Sequence, residues 1–264
     1  MVFVKFPTAY IINLDRVPER WAHMSKAFVE QGIPICRVSA IDGNQLTLPC
    51  ANFDEKKFRW CHGRGINIYE VACYLSHLKA MQLFLESNDE IAMICEDDLF
   101  LKTESKEVLE KALAFSSLWN ILRLTGLSEG NAYRIQELSP SYFLTLHLGR
   151  LKGAGAYLID RKAASILVQE LLPMWLPWDH AIDREWNFDL KALAIAPFPI
   201  SQTDEKFESA IQKASQAKLS SLRRYFTTYP YQILNEFSRW IARGSYFLRL
   251  MFFLFLSARK PERK

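Results

Sequence analysis

Up to about residue 200, short apolar runs rich in β-branched residues alternate with longer stretches whose apolar positions recur at three and four, as strands alternating with helices do. Ala9 to Leu14 is the first such run. A helical pattern from Pro18 to Gln31 follows, with Pro18 suited to a first helical turn, and Ile33 to Ile41 reads as a second strand stopped by Asp42-Gly43. Residues 44 to 66 carry no regular pattern and read as loop, as do 126 to 141. From Asn67 to Leu85, positions Val71, Tyr74, Leu75, Leu78, Met81 and Leu85 keep helical spacing. Ser87-Asn88-Asp89 then leads into the wholly apolar run Ile91 to Cys95, the mark of a buried parallel strand. Further strands are predicted near 119–125, 142–148, 154–159 and 192–196, with helices near 104–115 and 161–172. Trp175 to His180 reads as a stiff aromatic turn, and 181–187 has helix-like spacing. Strand, helix, strand in this order predicts an α/β fold on a parallel sheet.

Beyond Ser201 a polar linker leads to a different kind of chain. Residues 213–264 hold eleven Lys/Arg against only Glu236 and Glu262, which exceeds the net charge of +4, so the remainder is mildly acidic. The division predicted is therefore a catalytic body over 1–212 and a helical tail over 213–264. In the tail Arg223, Arg224, Arg239, Arg243 and Arg249 are interleaved with Tyr225, Phe226, Phe237, Trp240 and Phe247, the composition of interfacial amphipathic helices. Docking on an anionic membrane surface is the expectation; a hairpin packed on the body or on a second subunit, as in a homodimer, is the alternative. The apolar run Phe247 to Leu256 is about half the roughly 20 residues needed to cross a bilayer. An acidic body argues against nucleic acid as the main ligand.

With half its residues hydrophobic and 23% charged, the 264-residue chain has ordinary globular composition and length for one large domain with an appendage. Its five cysteines include no C-x-x-C pair, and the N-terminus turns polar too early for a signal peptide, so a reducing, cytoplasmic location is expected. Cys73 and Cys95 lie in apolar periodic segments and read as small buried hydrophobes.

The candidate chemistry centres on Glu96-Asp97-Asp98, which follows the apolar run directly and so stands where a parallel strand leaves its sheet, the place where open α/β sheets bind ligands. Three adjacent carboxylates repel one another, and a hard divalent cation such as Mn²⁺ or Mg²⁺ relieves that repulsion while binding phosphate oxygens. Solvated surface acids or a helix cap are the plainer reading of the same triplet.

At this point the chain resembles glycosyltransferase family 25, the lipooligosaccharide glycosyltransferases, over roughly its first 210 residues. The carriers are Tyr10 to Arg16 with Glu19-Arg20, Ser39 to Gly43, Glu70 to His77, Ile94 to Asp98, Gly153 to Ile159, and Pro177-Trp178-Asp179-His180. The resemblance implies a GT-A-like, single Rossmann-type nucleotide-sugar-binding domain and an inverting, metal-dependent hexosyltransferase. Its donor would be UDP-galactose, its acceptor a lipooligosaccharide or lipopolysaccharide core, and its place the inner face of the bacterial inner membrane.

Site roles follow from the same resemblance. Glu96 and Asp98 would fill the outer positions of a D-x-D-like metal motif, with Glu96 alternatively reaching the ribose and Asp97 orienting the donor. Asn13 would read a uracil edge, and Arg16 and Arg20 would clamp phosphate, unless both are surface charges of the first helix. Asp42 would form a donor-site turn. Glu70 and His77, two helical turns apart and on the side of Cys73 and Tyr74, would position the donor together with Ser76, His77 without transferring a proton, unless it is an ordinary structural histidine. Gly155, within Gly153-Ala154-Gly155, would allow close approach of backbone to the sugar, or merely form a turn. Inversion needs a single base; Asp179 is the candidate, with Asp183 one turn on, Trp178 and Trp175 stacking on sugar rings or packing in the core, and His180 as a possible side ligand of the metal. A sugar nucleotidyltransferase is the rival enzyme, although the place after the first strand lacks its Gly-rich, Lys/Arg-bearing loop. A catalytically inactive carbohydrate-binding or scaffold protein of this fold is the non-enzymatic rival.

Overall fold

The computed structural model describes residues 6–127, 131–202 and 218–258. The expected polar linker and the division at 212/213 lie outside them. Eight strands form one sheet in the order β2-β1-β3-β8-β5-β9-β7-β6, built from β1 (Thr8–Asn13), β2 (Ile35–Ser39), β3 (Ile91–Glu96), β5 (Ile121–Arg123), β6 (Ala132–Ser139), β7 (Tyr142–His147), β8 (Ala156–Asp160) and β9 (Ala192–Ala196). The pairs β1/β2, β1/β3 and β5/β9 are parallel, and β8 runs antiparallel between β3 and β5. Strands β4 (Leu99–Leu101) and β10 (Ile200–Gln202) form a separate antiparallel pair.

Period-two alternation assigns the strand residues to two cores. Tyr10 and Ile12 face α3 (Ile68–Glu86), α5 (Arg161–Glu170) and α6 (Trp178–Ile182), while Ala9 and Ile11 face α1 (Pro18–Glu30) and α4 (Ser105–Leu113). Helices on both faces of a mainly parallel central sheet make this a GT-A-like, Rossmann-type α/β domain, as expected from the sequence.

The structure corrects several local expectations. Residues 44–66 contain α2 (Glu55–His62), capped by Asp54, whose side chain accepts from Lys57 N, and closed by Gly63 at φ 78°. It is two turns long with Phe58 and Cys61 its buried positions, too little to register as periodicity. The segment 126–141 contains β6, an edge strand whose two register shifts against β7 erase the alternation. The aromatic turn instead starts a helix, α6, at Trp178, and a 3-10 turn over Glu185–Phe188 follows.

The tail consists of α7 (Ser221–Phe226) and one 31-residue helix, α8 (Thr228–Ala258), roughly 46 Å long at 1.5 Å per residue. Among the described residues no helix is long and apolar enough to cross a membrane. One side of α8 is seated on the body: Thr228 Oγ1 donates to Trp60 O at 3.1 Å, Tyr246 donates to Leu118 O, and Leu250 is buried. The other side leaves Ile233, Leu234, Phe237, Trp240, Ile241, Leu248 and Phe252 exposed. Arg239 and Arg243 do not share that outer face, contrary to expectation; they are buried against the body.

Candidate functional site

The carboxyl ends of β1, β2 and β3 open into a cleft with an empty volume of ≈ 710 Å³, walled by α3 and floored by the acidic triplet. Arg16, Arg20, Asp42, Ser76, His77, Glu96, Asp97 and Asp98 all line it, so strand ends, helix wall and turn converge as the sequence suggested.

The three acids have three different environments. Asp97 is braced: Asn13 Nδ2 donates to its Oδ2 at 2.7 Å and Arg20 to its Oδ1 at 3.0 Å, which oppose the upward push of burial on its pKa. Asp98 has a buried Oδ1 with no hydrogen-bond partner, and burial, followed by the charges of Glu96 and Asp97, pushes its pKa to about 7. An unpartnered, charge-crowded carboxylate oxygen on a cleft floor suits a cation, and in this respect the residues fit a Mn²⁺ or Mg²⁺ ion. Glu96 turns to the α3 wall: its Oε1 lies 3.3 Å from His77 Nε2 and 3.9 Å from Cys73 Sγ.

Asn13 is fully buried and its amide is spent, donating also to Val17 O at 3.0 Å and accepting from Arg37 Nη2 at 2.7 Å. It braces the triplet and does not present an edge to a base. Arg20 is likewise engaged by Asp97, leaving Arg16 as the half-exposed guanidinium of the cleft, 2.8 Å from Asp42. The Asp42 carboxylate caps its turn by accepting from Asn44 N at 2.9 Å, and that bond, together with Arg16, holds its pKa below the usual range against a smaller effect of burial.

On α3, Ser76 Oγ donates to Ala72 O and accepts from Ile41 N at 2.8 Å, tying the wall to the turn before Asp42. His77 is completely buried, its Nδ1 3.1 Å from Tyr157 Oη and its ring stacked on Trp178 at 4.6 Å and 9°. Glu70 is not among the residues lining the cleft; its Oε1 pairs with Arg64, and its buried Oε2 has no hydrogen-bond partner. Cys73 departs from the buried-hydrophobe reading, because it lines the cleft with its thiol beside Glu96, whereas Cys95 is wholly buried as expected.

Around α6 the expected acceptor side divides. Asp179 stands in the first turn of α6; its Oδ1 accepts from His180 N at 3.0 Å and its Oδ2 from Gly153 N at 3.4 Å, and its charge is felt at the Cys73 thiol. Asp183, which was to share its side, is instead 2% exposed and bonded to Arg243 at 2.9 Å, Arg239 at 3.1 Å and Leu151 N. A carboxylate enclosed by two guanidiniums cannot serve as a base. Trp178 is core, not a sugar platform, with His77 on its face and Tyr74 at its edge. Trp175 is covered by Lys57 at 3.8 Å and Arg184 at 4.6 Å. His180 meets His62 edge-on and Arg150 at 3.2 Å; burial lowers its pKa, Asp179 opposing, and among the described residues it joins no ligand cluster. Gly155 is buried between strands, its carbonyl accepting from Glu96 N at 2.8 Å, which fixes the start of the triplet.

Sequence reasoning missed Tyr157, Arg64 and the Arg239/Arg243 clamp. Arg123, fully buried on β5 with Nε and Nη2 unpartnered, was also missed. The spacing of Cys73 and His77, i and i+4 on a helix, was the signal for Cys73 as part of the α3 wall.

A mostly parallel sheet with an acidic cleft at its strand ends defines a nucleotide-sugar-type domain of GT-A-like form. The model of glycosyltransferase family 25 (LPS biosynthesis protein) matches residues 6–182, and the chain belongs to that family. It is 25% identical over 231 residues to procollagen galactosyltransferase 1-B of Xenopus laevis, covering 77% of this chain and 37% of the relative. It is 26% identical over 243 residues to a Haemophilus influenzae protein whose name assigns it to the glycosyltransferases, covering 87% of this chain and 83% of the relative. The chain spans about a third of the length of the first animal relatives it matches, 35% for that of Drosophila pseudoobscura pseudoobscura. Among solved structures, a glycosyltransferase involved in glycosylation of the major capsid of PBCV-1 is 9% identical, with a TM-score of 0.42 over 76% of this chain and 96% of that one.

Proposed function

We propose that the chain transfers a hexose, galactose from UDP-galactose in the first instance, with inversion onto the core oligosaccharide of a lipooligosaccharide or lipopolysaccharide. The observation that carries this reading is the meeting of Asp98, its buried oxygen unpartnered, with Arg16 and Asp42 in one cleft at the strand ends of a family 25 domain. Galactose is supported by the name of the amphibian relative, and the lipopolysaccharide acceptor by the description of the family.

Within this reading Arg16 takes a phosphate of the donor by exchanging its exposed pairing with Asp42 for charge-assisted bonds. Asn13 and Arg20 act through Asp97, holding the triplet rigid against the repulsion of its own charges. A Mn²⁺ or Mg²⁺ ion held by Asp98, whose buried oxygen has no hydrogen-bond partner, would supply positive charge to the departing diphosphate. Asp179, fixed by two backbone N–H groups, takes the proton of the attacking acceptor hydroxyl. The exposed apolar face of α8 rests on the cytoplasmic face of the membrane that carries the acceptor.

Incubation with a panel of UDP-sugars, with Mn²⁺ or with a chelator, tests the proposal. Metal-stimulated release of UDP, greatest with UDP-galactose and an oligosaccharide core, is expected. Activity insensitive to chelator overturns the metal role; pyrophosphate as product favours a nucleotidyltransferase; donor binding without turnover favours an inactive carbohydrate-binding protein.

A further inference from the structure

Cys73, His77 and Glu96 offer the cleft three donor atoms of mixed softness. Cys73 and His77 stand one turn apart on α3, and Glu96 ends the strand facing them. Their Sγ, imidazole nitrogen and carboxylate oxygen lie within 4.8 Å of one another. We propose that these residues form a three-ligand site for a borderline transition-metal ion of the Zn²⁺ kind, with a fourth position open to the donor cleft.

The distances suit such an ion. Tetrahedral coordination with ordinary zinc bond lengths places a nitrogen and an oxygen ligand about 3.4 Å apart, and a sulfur and an oxygen ligand about 3.6 Å apart. His77 Nε2 and Glu96 Oε1 are already 3.3 Å apart, and Cys73 Sγ and Glu96 Oε1 3.9 Å. As a hydrogen-bonded trio without an ion, the thiol would gain only a weak, long S–H···O contact.

The surroundings are those of a metal-bound imidazole. A metal-ligating histidine commonly donates its other ring nitrogen to an oxygen acceptor, which fixes tautomer and ring direction. Tyr157 Oη lies 3.1 Å from His77 Nδ1 and serves that purpose, and the Trp178 ring stacked on His77 at 9° locks the plane. All three ligands line the cleft, so the remaining position faces the donor site and not the core. Three protein ligands with one open place is the arrangement of catalytic zinc sites, and a thiolate with an imidazole prefers a softer ion than the Mg²⁺ class. Glu96 is thereby assigned to the α3 wall, and Asp98 keeps the hard-cation role proposed above. Metal occupancy is read on the protein alone, so failure of this site and failure of the transfer reading are separately visible.

The test uses the full chain, stripped with chelator and dialysed against Zn²⁺ or Co²⁺. The wild type is expected to retain about one ion per chain, to show thiolate-to-cobalt charge-transfer absorption in the near ultraviolet, and to protect one thiol from modification. Cys73→Ser and His77→Gln abolish that absorption, Tyr157→Phe weakens retention by about 10–100-fold, and Asp98→Asn leaves the absorption in place. Circular dichroism of each variant establishes that it is folded. Folded wild type that retains no ion and shows no absorption overturns the site. Absorption that survives in Cys73→Ser, or that vanishes in folded Asp98→Asn, overturns it equally, the latter by making Asp98 a required ligand of the same ion.

Discussion

Arg243 of α8 lies 2.9 Å from Asp183 and 2.8 Å from Glu185, and the same guanidinium donates to His147 O at 3.0 Å and Gly149 O at 2.9 Å. One tail residue thus fastens the end of β7 to the segment after α6, with Arg239 adding a second contact to Asp183 at 3.1 Å. The group is almost wholly buried, so its ions are exchanged for one another and not for water.

Removing one partner of a buried pair leaves the other uncompensated, at a cost of about 3–5 kcal/mol. Arg243→Met is therefore expected to lower unfolding free energy by that amount, read by urea denaturation. A change below about 1 kcal/mol would mean that water reaches Asp183 and Glu185 after all. Truncation before residue 239 removes both arginines, so loss of membrane binding in such a truncation would be confounded by instability.

The exposed face of α8 gives the cleaner test of membrane docking. Replacing Phe237, Trp240 and Leu248 with Ser touches no buried contact. Flotation with vesicles containing phosphatidylglycerol is expected to move the protein from the bound to the free fraction, with each substitution changing stability by no more than about 0.5 kcal/mol. Unchanged flotation points to a second copy of the chain as the occupant, which sedimentation would reveal.

Asp98→Asn and Asp179→Asn separate metal from base. The first is expected to reduce Mn²⁺-stimulated transfer by at least about 100-fold, since a bound cation supplies several kcal/mol to the departing diphosphate. The second is expected to lose about 10²–10⁴-fold in turnover while binding UDP normally. Normal transfer by Asp179→Asn would place the base elsewhere.

His147, enclosed beside the clamp, has its pKa lowered from 6.5 to about 4, first by burial and then by Arg243. A depressed histidine is neutral in the fold and protonates more readily when unfolded, so its contribution is present above pH 6.5 and is lost as pH falls towards about 4. The difference corresponds to at most about 3 kcal/mol. Melting temperature should decline over that window in wild type and decline less in His147→Gln; parallel curves would exclude His147.

The sheet was legible because its central strands are apolar throughout and their helices long, as with β3 and α3. Helix α2 was not, since two turns with two buried residues fall below any periodic signal, and β6 was hidden by its bulges. In the site, the ordered motifs located the cleft but not the directions of its side chains. Asn13 and Trp178 spend their polar or aromatic groups on neighbours invisible in sequence, Asp97 and His77, and Glu70 gives one carboxylate oxygen to Arg64. Asp183 failed for the same reason, its two guanidinium partners lying more than fifty residues further along the chain.

That separation has a consequence for how the molecule is made. Asp183 and Glu185 are synthesised well before Arg239 and Arg243, and synthesis runs from the N-terminus. Without α8 the two acids have no guanidinium beside them, so burying both as carboxylates awaits its arrival. The segment next to Asp179 thus takes the partners of its buried charges from the same helix that carries the exposed apolar face, so the stability of one and the surface offered by the other are tied to a single element.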